Sequence, residues 1–102
     1  MESYHNESTD RLFRIFLSIK SVEEWERLFD DLCTIKELQD IAQRMDVALL
    51  LDAGNSYQAI SRDLGFSTAT ISRVNRCLNY GSGGYRLALD RYYEEETEQH
   101  AD

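Results

Sequence analysis

The chain contains no proline, only five glycines and only two cysteines in 102 residues. With so few turn formers, a loop-rich β-sandwich or a flexible linker protein is disfavoured and a mostly helical chain is favoured. Cys33 and Cys77 lie far apart and form no CxxC pair. They indicate no disulfide framework and read as reduced, buried small hydrophobes. Histidine is confined to His5 and His100, in polar termini without ligand-type neighbours at metal spacing. Both read as solvent-exposed, and no metal site is expected. No apolar run approaches the roughly 18 residues of a membrane span, and no basic cluster leads into an apolar stretch at the start. The expectation is a cytoplasmic protein with no membrane partner.

What is present is ordinary in bulk and uneven in detail. Hydrophobic residues make up 42% of the chain and charged residues 29%, as in a soluble globular protein. A chain this long forms one domain with a modest core, which pairing with a second copy would enlarge. The net charge of −8 argues against a non-specific coat on nucleic acid. Yet residues 1–53 carry six basic and twelve acidic groups, residues 54–93 carry five and two, and residues 94–102 carry none and five. The middle-to-late segment is therefore basic, and its basic residues (Arg62, Arg73, Arg76, Arg86, Arg91) are all arginines.

Periodicity divides the chain into six helices with no β-type alternation. Residues 1–9 are polar and read as a flexible N-terminus. From Asp10, Leu12, Ile15, Phe16 and Ile19 form a helical stripe, which Phe13 and Leu17 widen to a second face. Ser21 and Glu24 form the pattern of a capping box, opening a second helix whose stripe is Trp25, Leu28, Phe29 and Leu32. Trp25 is expected in the core. Thr34 and Glu37 repeat the box and open a long third helix that stops at Gly54. Shorter helices follow over 56–64 and 68–78, then a break at Gly81-Ser82-Gly83-Gly84, then a last helix from about Tyr85. The structured domain reads as 10–93, and residues 94–102 as a solvated acidic tail. Apolar residues on more than one face of the first three helices suggest the surface of a homodimer.

The segment that carries function is 56–78, which has the residue types of a helix-turn-helix in order. Ile60 and Leu64 supply the inner face of its first helix. Ser61 is small enough for the crossing, Gly65 permits the turn, and Phe66 plugs beneath it. Ile71 and Val74 supply the inner face of the second helix, which Ser67 or Thr68 can cap. Outward lie Ser67, Thr68, Ala69, Thr70, Ser72 and Arg73. Short side chains let a helix approach the floor of a major groove; arginine reads guanine, hydroxyls take base edges or phosphate, and alanine meets a thymine methyl. Arg62 and Arg76 are placed to neutralise flanking phosphates. The alternative is a helical protein-interaction or dimerisation module that binds no DNA. An enzyme is not indicated: there is no phosphate-binding glycine loop, no internal histidine and no cysteine–histidine pair. The acid pairs Glu23-Glu24 and Asp30-Asp31 read as solvated helix faces.

The stretches TIKELQDIAQRMDVALLLDAG (residues 34–54) and SYQAISRDLGFSTATISRVNRCL (residues 56–78) resemble the Trp repressor superfamily, in particular its YerC/YecD-type branch. The helix-turn-helix by itself is shared by many families; the long helix ending in glycine, followed directly by the reading head and LGxSxATISR, is more distinctive. The resemblance implies a six-helix fold, an intertwined homodimer and bacterial transcriptional repression at a palindromic operator in double-stranded DNA. In that family an amino-acid co-repressor lies between the long helix and the recognition helix. Thr34, Arg44 and Arg73 fall at positions that line its pocket. Val74 replaces the glycine of tryptophan-binding members, and Cys77 replaces a serine that helps hold the ligand's amino group. A valine there intrudes where an indole would lie. The resemblance thus points to a regulator that is not tryptophan-responsive: either Val74 fills the pocket and no co-repressor is needed, or a smaller or more polar one binds. Each residue also has a plainer reading: Thr34 as a helix cap, Arg44 in an ion pair with Asp40 or Asp52, Arg73 on a phosphate. No other cofactor is expected.

Overall fold

The computed structural model describes residues 3–100. Among them are six helices and no strand: α1 (Glu7–Leu17), α2 (Val22–Leu32), α3 (Ile35–Asp52), α4 (Tyr57–Leu64), α5 (Thr68–Tyr80) and α6 (Gly84–His100). Five of them begin on a polar side chain that takes up an otherwise unpaired amide of the first turn. Ser21, Ser56 and Ser67 accept from the amides of Glu24, Ala59 and Thr70 at 3.1, 3.1 and 3.2 Å. Thr34 and Glu37 form the reciprocal pair expected of them, at 3.1 and 2.9 Å. Glu24 differs in detail, because its carboxylate accepts from the amide of Lys20 at 2.8 Å, one residue ahead of the cap.

α4 and α5 differ from the sequence reading by one or two residues at an end, and two boundaries differ by more. α1 starts at Glu7, within the segment read as a flexible terminus, because Asn6 and Thr9 cap it reciprocally at 2.9 and 3.1 Å. α6 continues through the acidic segment to His100. Glutamate and glutamine prolong a helix that is already nucleated. Met1, Glu2, Ala101 and Asp102 lie outside the described residues, as does the side chain of His100. His5 is exposed, as expected, and its ring lies 4.2 Å from that of Tyr4.

The helices form two compact units, residues 1–38 and residues 39–102. In the first, α1 meets α2 through aromatic rings. Phe16 lies 5.0 Å from Trp25 and 6.0 Å from Phe29, and Trp25 stacks on Phe29 at 5.7 Å. Trp25 is thus half-buried among rings rather than deep in a core. No residue of α1 or α2 is fully buried. Leu17, Val22 and Ile35 are 82%, 73% and 78% exposed.

The second unit holds the buried core. Val47 and Ala48 of α3 pack with Ile60 of α4, with Ile71, Val74 and Leu78 of α5, and with Leu89 of α6. The α5 contributors follow i, i+3, i+7 spacing, so one edge of that helix is sealed. The two cysteines depart from expectation: Cys33 is half-buried and Cys77 is exposed. Cys77 sits on α5 beside Leu78 in sequence, and a neighbour in a helix turns by about 100° off the sealed edge. Among the described residues no helix is long and apolar enough to cross a membrane.

The end of α3 is tied to α6 across a long stretch of chain. Arg86 donates to both oxygens of Asp52, at 2.7 and 3.0 Å. The Tyr93 hydroxyl donates to the same carboxylate at 2.9 Å. Asp52 therefore pairs with Arg86 rather than with Arg44. These donors hold the Asp52 carboxyl at about 2, below its ordinary 3.8. A carboxylate depressed in the folded state stabilises it above the ordinary value and loses that contribution as pH falls through the folded one. Thermal melts of the parent chain and Asp52→Asn should therefore differ most above pH 4, and the gap should close between 4 and 2.

Candidate nucleic-acid interface

α4 and α5 are joined by the three residues Gly65-Phe66-Ser67. Gly65 caps α4 with φ at +75°, a left-handed conformation that other residues adopt only with strain. Its amide donates to the Ser61 carbonyl at 2.8 Å, and the Ser61 hydroxyl donates to the Phe66 carbonyl at 2.6 Å. Ser61 therefore does more than leave room at the crossing: it braces the turn from α4. Phe66 is half-buried against the core. The inner face is Ile60, Ile71 and Val74, all buried, whereas Leu64 is 39% exposed. Leu64 is the last residue of α4, and it packs at the rim rather than beneath the pair.

Of the two residues read as possible caps of α5, Ser67 takes the role. Its hydroxyl also lies 3.1 Å from that of Thr70, so Thr70 is engaged at the cap and half-buried. Thr68, Ala69, Arg73 and Arg76 are exposed, and Ser72 is half-buried. Positions 69, 72, 73 and 76 share one face of α5, opposite the sealed edge of 71, 74 and 78. That face ends at a helix N-terminus, whose amides and dipole favour an anion. Arg62 is exposed on α4 and pairs with Asp63 at 3.0 Å. Asp63 raises the Arg62 pKa, chiefly by accepting its hydrogen bond.

Of the five residues read as a ligand pocket, Arg44 and Cys77 line a common cleft. A cleft of about 440 Å³ opens in the second unit, and Arg44 and Cys77 line it with Ile41, Met45, Tyr85 and Ala88. In size it suits a small molecule. Val74, 3% exposed, is part of the core, and Arg73 lies on the exposed face of α5. Thr34 belongs to the first unit and caps α3. Sequence reasoning did not find the junction of Asp52, Arg86 and Tyr93. Arg86 and Asp90 are four apart and legible as a helical pair, at 2.8 Å, but no local pattern points from Asp52 to a partner 34 residues on.

The family model for the Trp repressor protein matches residues 7–93. The chain is 53% identical over 98 residues to YerC of Bacillus subtilis (strain 168), an uncharacterized protein, covering 96% of this chain and 94% of that one. Two solved structures share its fold. One, from Staphylococcus aureus and described as a candidate Trp repressor, matches with a TM-score of 0.81 and 42% identity over 87% of this chain and 89% of its own. The other, a TrpR-like protein from Eubacterium eligens ATCC 27750, matches at 0.80 and 42% over 85% and 90%. The chain belongs to the Trp repressor family, in its YerC-type branch. That family is one of DNA-binding regulators rather than enzymes.

Gly65→Ala should cost about 1–2 kcal/mol in urea denaturation, the strain of a Cβ in the left-handed region. An unchanged midpoint would mean that the turn relaxes to another conformation.

Proposed function

We propose that this protein is a dimeric transcriptional repressor that reads a palindromic operator in double-stranded DNA through α4 and α5, in the cytoplasm of a bacterial cell. The observation that carries the reading is the two-sided character of α5. Ile71, Val74 and Leu78 are sealed in the core, while Thr68, Ala69, Arg73 and Arg76 stay open on the other side. A helix gripped from behind and set with short polar side chains and arginines in front has the form of a major-groove reader. Ser67, Thr70 and Ser72 flank that face, with Arg62 on α4 for a neighbouring phosphate.

One such head makes few contacts, and two half-sites related by a two-fold axis give useful specificity. The surface for a second copy is supplied by α1 and α2, which bury no residue fully and expose Phe13, Ile15, Leu17, Val22 and Leu32. The same apolar surface would serve a protein-interaction module that binds no DNA; selection of genomic fragments by the purified protein separates the two. An enriched palindrome with half-sites about one helical turn apart supports the repressor. No enrichment from folded, dimeric protein supports the interaction module.

Arg73→Ala and Thr68→Ala should each weaken the selected operator by about 1–3 kcal/mol if the side chain meets a base. Neither should move the melting temperature, since both residues are exposed. Unchanged affinity in both variants would overturn this placement of the reading face.

Regulation by an amino acid other than tryptophan, or by none, fits the site. Val74, which stands where the resemblance puts the glycine of tryptophan-binding members, is buried in the core, while the cleft beside Arg44 and Cys77 is open to a small co-repressor. Calorimetry with tryptophan should show no binding to the unmodified protein. Tight binding would overturn the exclusion.

A further inference from the structure

The head formed by α4 and α5 packs on α3 and α6 through the buried core and is joined to them by two tethers. The entering one leaves α3 at Asp52 and passes through Gly54, whose φ is +92°. The leaving one runs from the end of α5 through Gly81-Ser82-Gly83-Gly84 into α6. Both contain glycine, so neither is stiff by its own backbone. Asp52 and Arg86, at the far ends of these tethers, are joined to each other by two hydrogen bonds of 2.7 and 3.0 Å.

That junction is held at more than one point. Tyr93 reaches the same carboxylate at 2.9 Å from two turns further along α6. Asp90 holds the Arg86 guanidinium at 2.8 Å and 3.0 Å from one turn along. Two points on α6 thus meet one carboxylate at the end of α3, which fixes an angle as well as a distance. A planar guanidinium facing both oxygens of a carboxylate is directional, whereas aliphatic packing is not. The Asp52 and Arg86 side chains are 22% and 43% exposed, so water screens part of what the pair adds to stability. Beyond that share of stability, it fixes geometry.

We infer that Asp52, Arg86 and Tyr93 form a positioning clamp that, together with the core, holds the angle between α3 and α6 and so the direction of α4 and α5 packed on them, and through it how strictly the protein reads the distance between two half-sites. The first part stands on the geometry alone; the second rests on the DNA-reading proposal. None of the three touches the reading face. They act through the base of the head, and substitution should change its aim while leaving its chemistry in place.

The test uses the full chain and the variants Arg86→Met, Asp52→Asn and Arg86→Lys. Without DNA, residual dipolar couplings of the amides report helix directions. In the parent, α3 from residue 39, α4, α5 and α6 should fit one alignment tensor. In Arg86→Met and Asp52→Asn, the couplings of α4 and α5 should depart from the tensor of α3, and Arg86→Lys should lie between. Couplings that superimpose on the parent's in both variants would overturn the clamp. With DNA, each protein is measured on the parent's selected operator and on the same sequence with one base pair inserted between the half-sites. The parent's preference for the uninserted site should fall about fivefold or more in Arg86→Met, with non-specific binding unchanged. A role in stability alone would weaken both sites equally; an unchanged ratio would therefore overturn the link to spacing. If the parent selects no DNA, the repressor reading fails, and the couplings still decide the clamp.

Discussion

Seven side chains from four helices close on one another in the second unit, and the functional geometry depends on that closure. Ile71, Val74 and Leu78 can be buried only if one edge of α5 is turned inward. The helical repeat then turns Ala69, Ser72, Arg73 and Arg76 outward. The orientation of the candidate reading face is thus a by-product of core packing. This is why short polar residues and arginines can occupy it at no cost to the fold. The burial of Ile60 beneath the turn and the brace from Ser61 to Phe66 extend the same constraint to α4.

The two units contrast in how they satisfy the hydrophobic effect. The second has a sealed core of aliphatic residues. The first has a ring cluster of Phe16, Trp25 and Phe29 that water still reaches, and large apolar side chains exposed around it. A pair of short helices has too little volume to bury both of its faces. Phe13, Ile15 and Leu17 of α1 therefore stay exposed beside the ring cluster.

Much of this was legible in the sequence because it is encoded locally. Capping residues announce the starts of α2, α3, α4 and α5, and Gly65 announces the turn. The start of α1 was missed because its box closes with a threonine rather than a glutamate: Thr9 returns a hydroxyl to the amide of Asn6. The length of α6 was missed because the charge of its end was weighed above its helix propensity. The exposure of Leu64 and Cys77 depends on where a helix ends or how it is rotated, which alternation of residue types fixes only to within a turn. The candidate pocket was the least legible part. All five of its residues rest on resemblance rather than on a local pattern, and Arg44 and Cys77 are the two that line the cleft in the second unit. The junction at Asp52 was invisible for a different reason. It joins residues 34 and 41 positions apart, and no periodicity records such a contact.

The same difference in separation bears on the order in which the second unit assembles. The brace from Ser61 to Phe66 and the cap on α5 close loops of a few residues, and the contacts of α4 with α5 and of α5 with α6 join successive elements. Such closures are fast and cost little chain entropy. Joining Asp52 to Arg86 closes a much longer loop, of 34 residues, whose ends the packing of α4 and α5 brings near. Of these closures the junction therefore spans the longest loop and carries the largest cost in chain entropy.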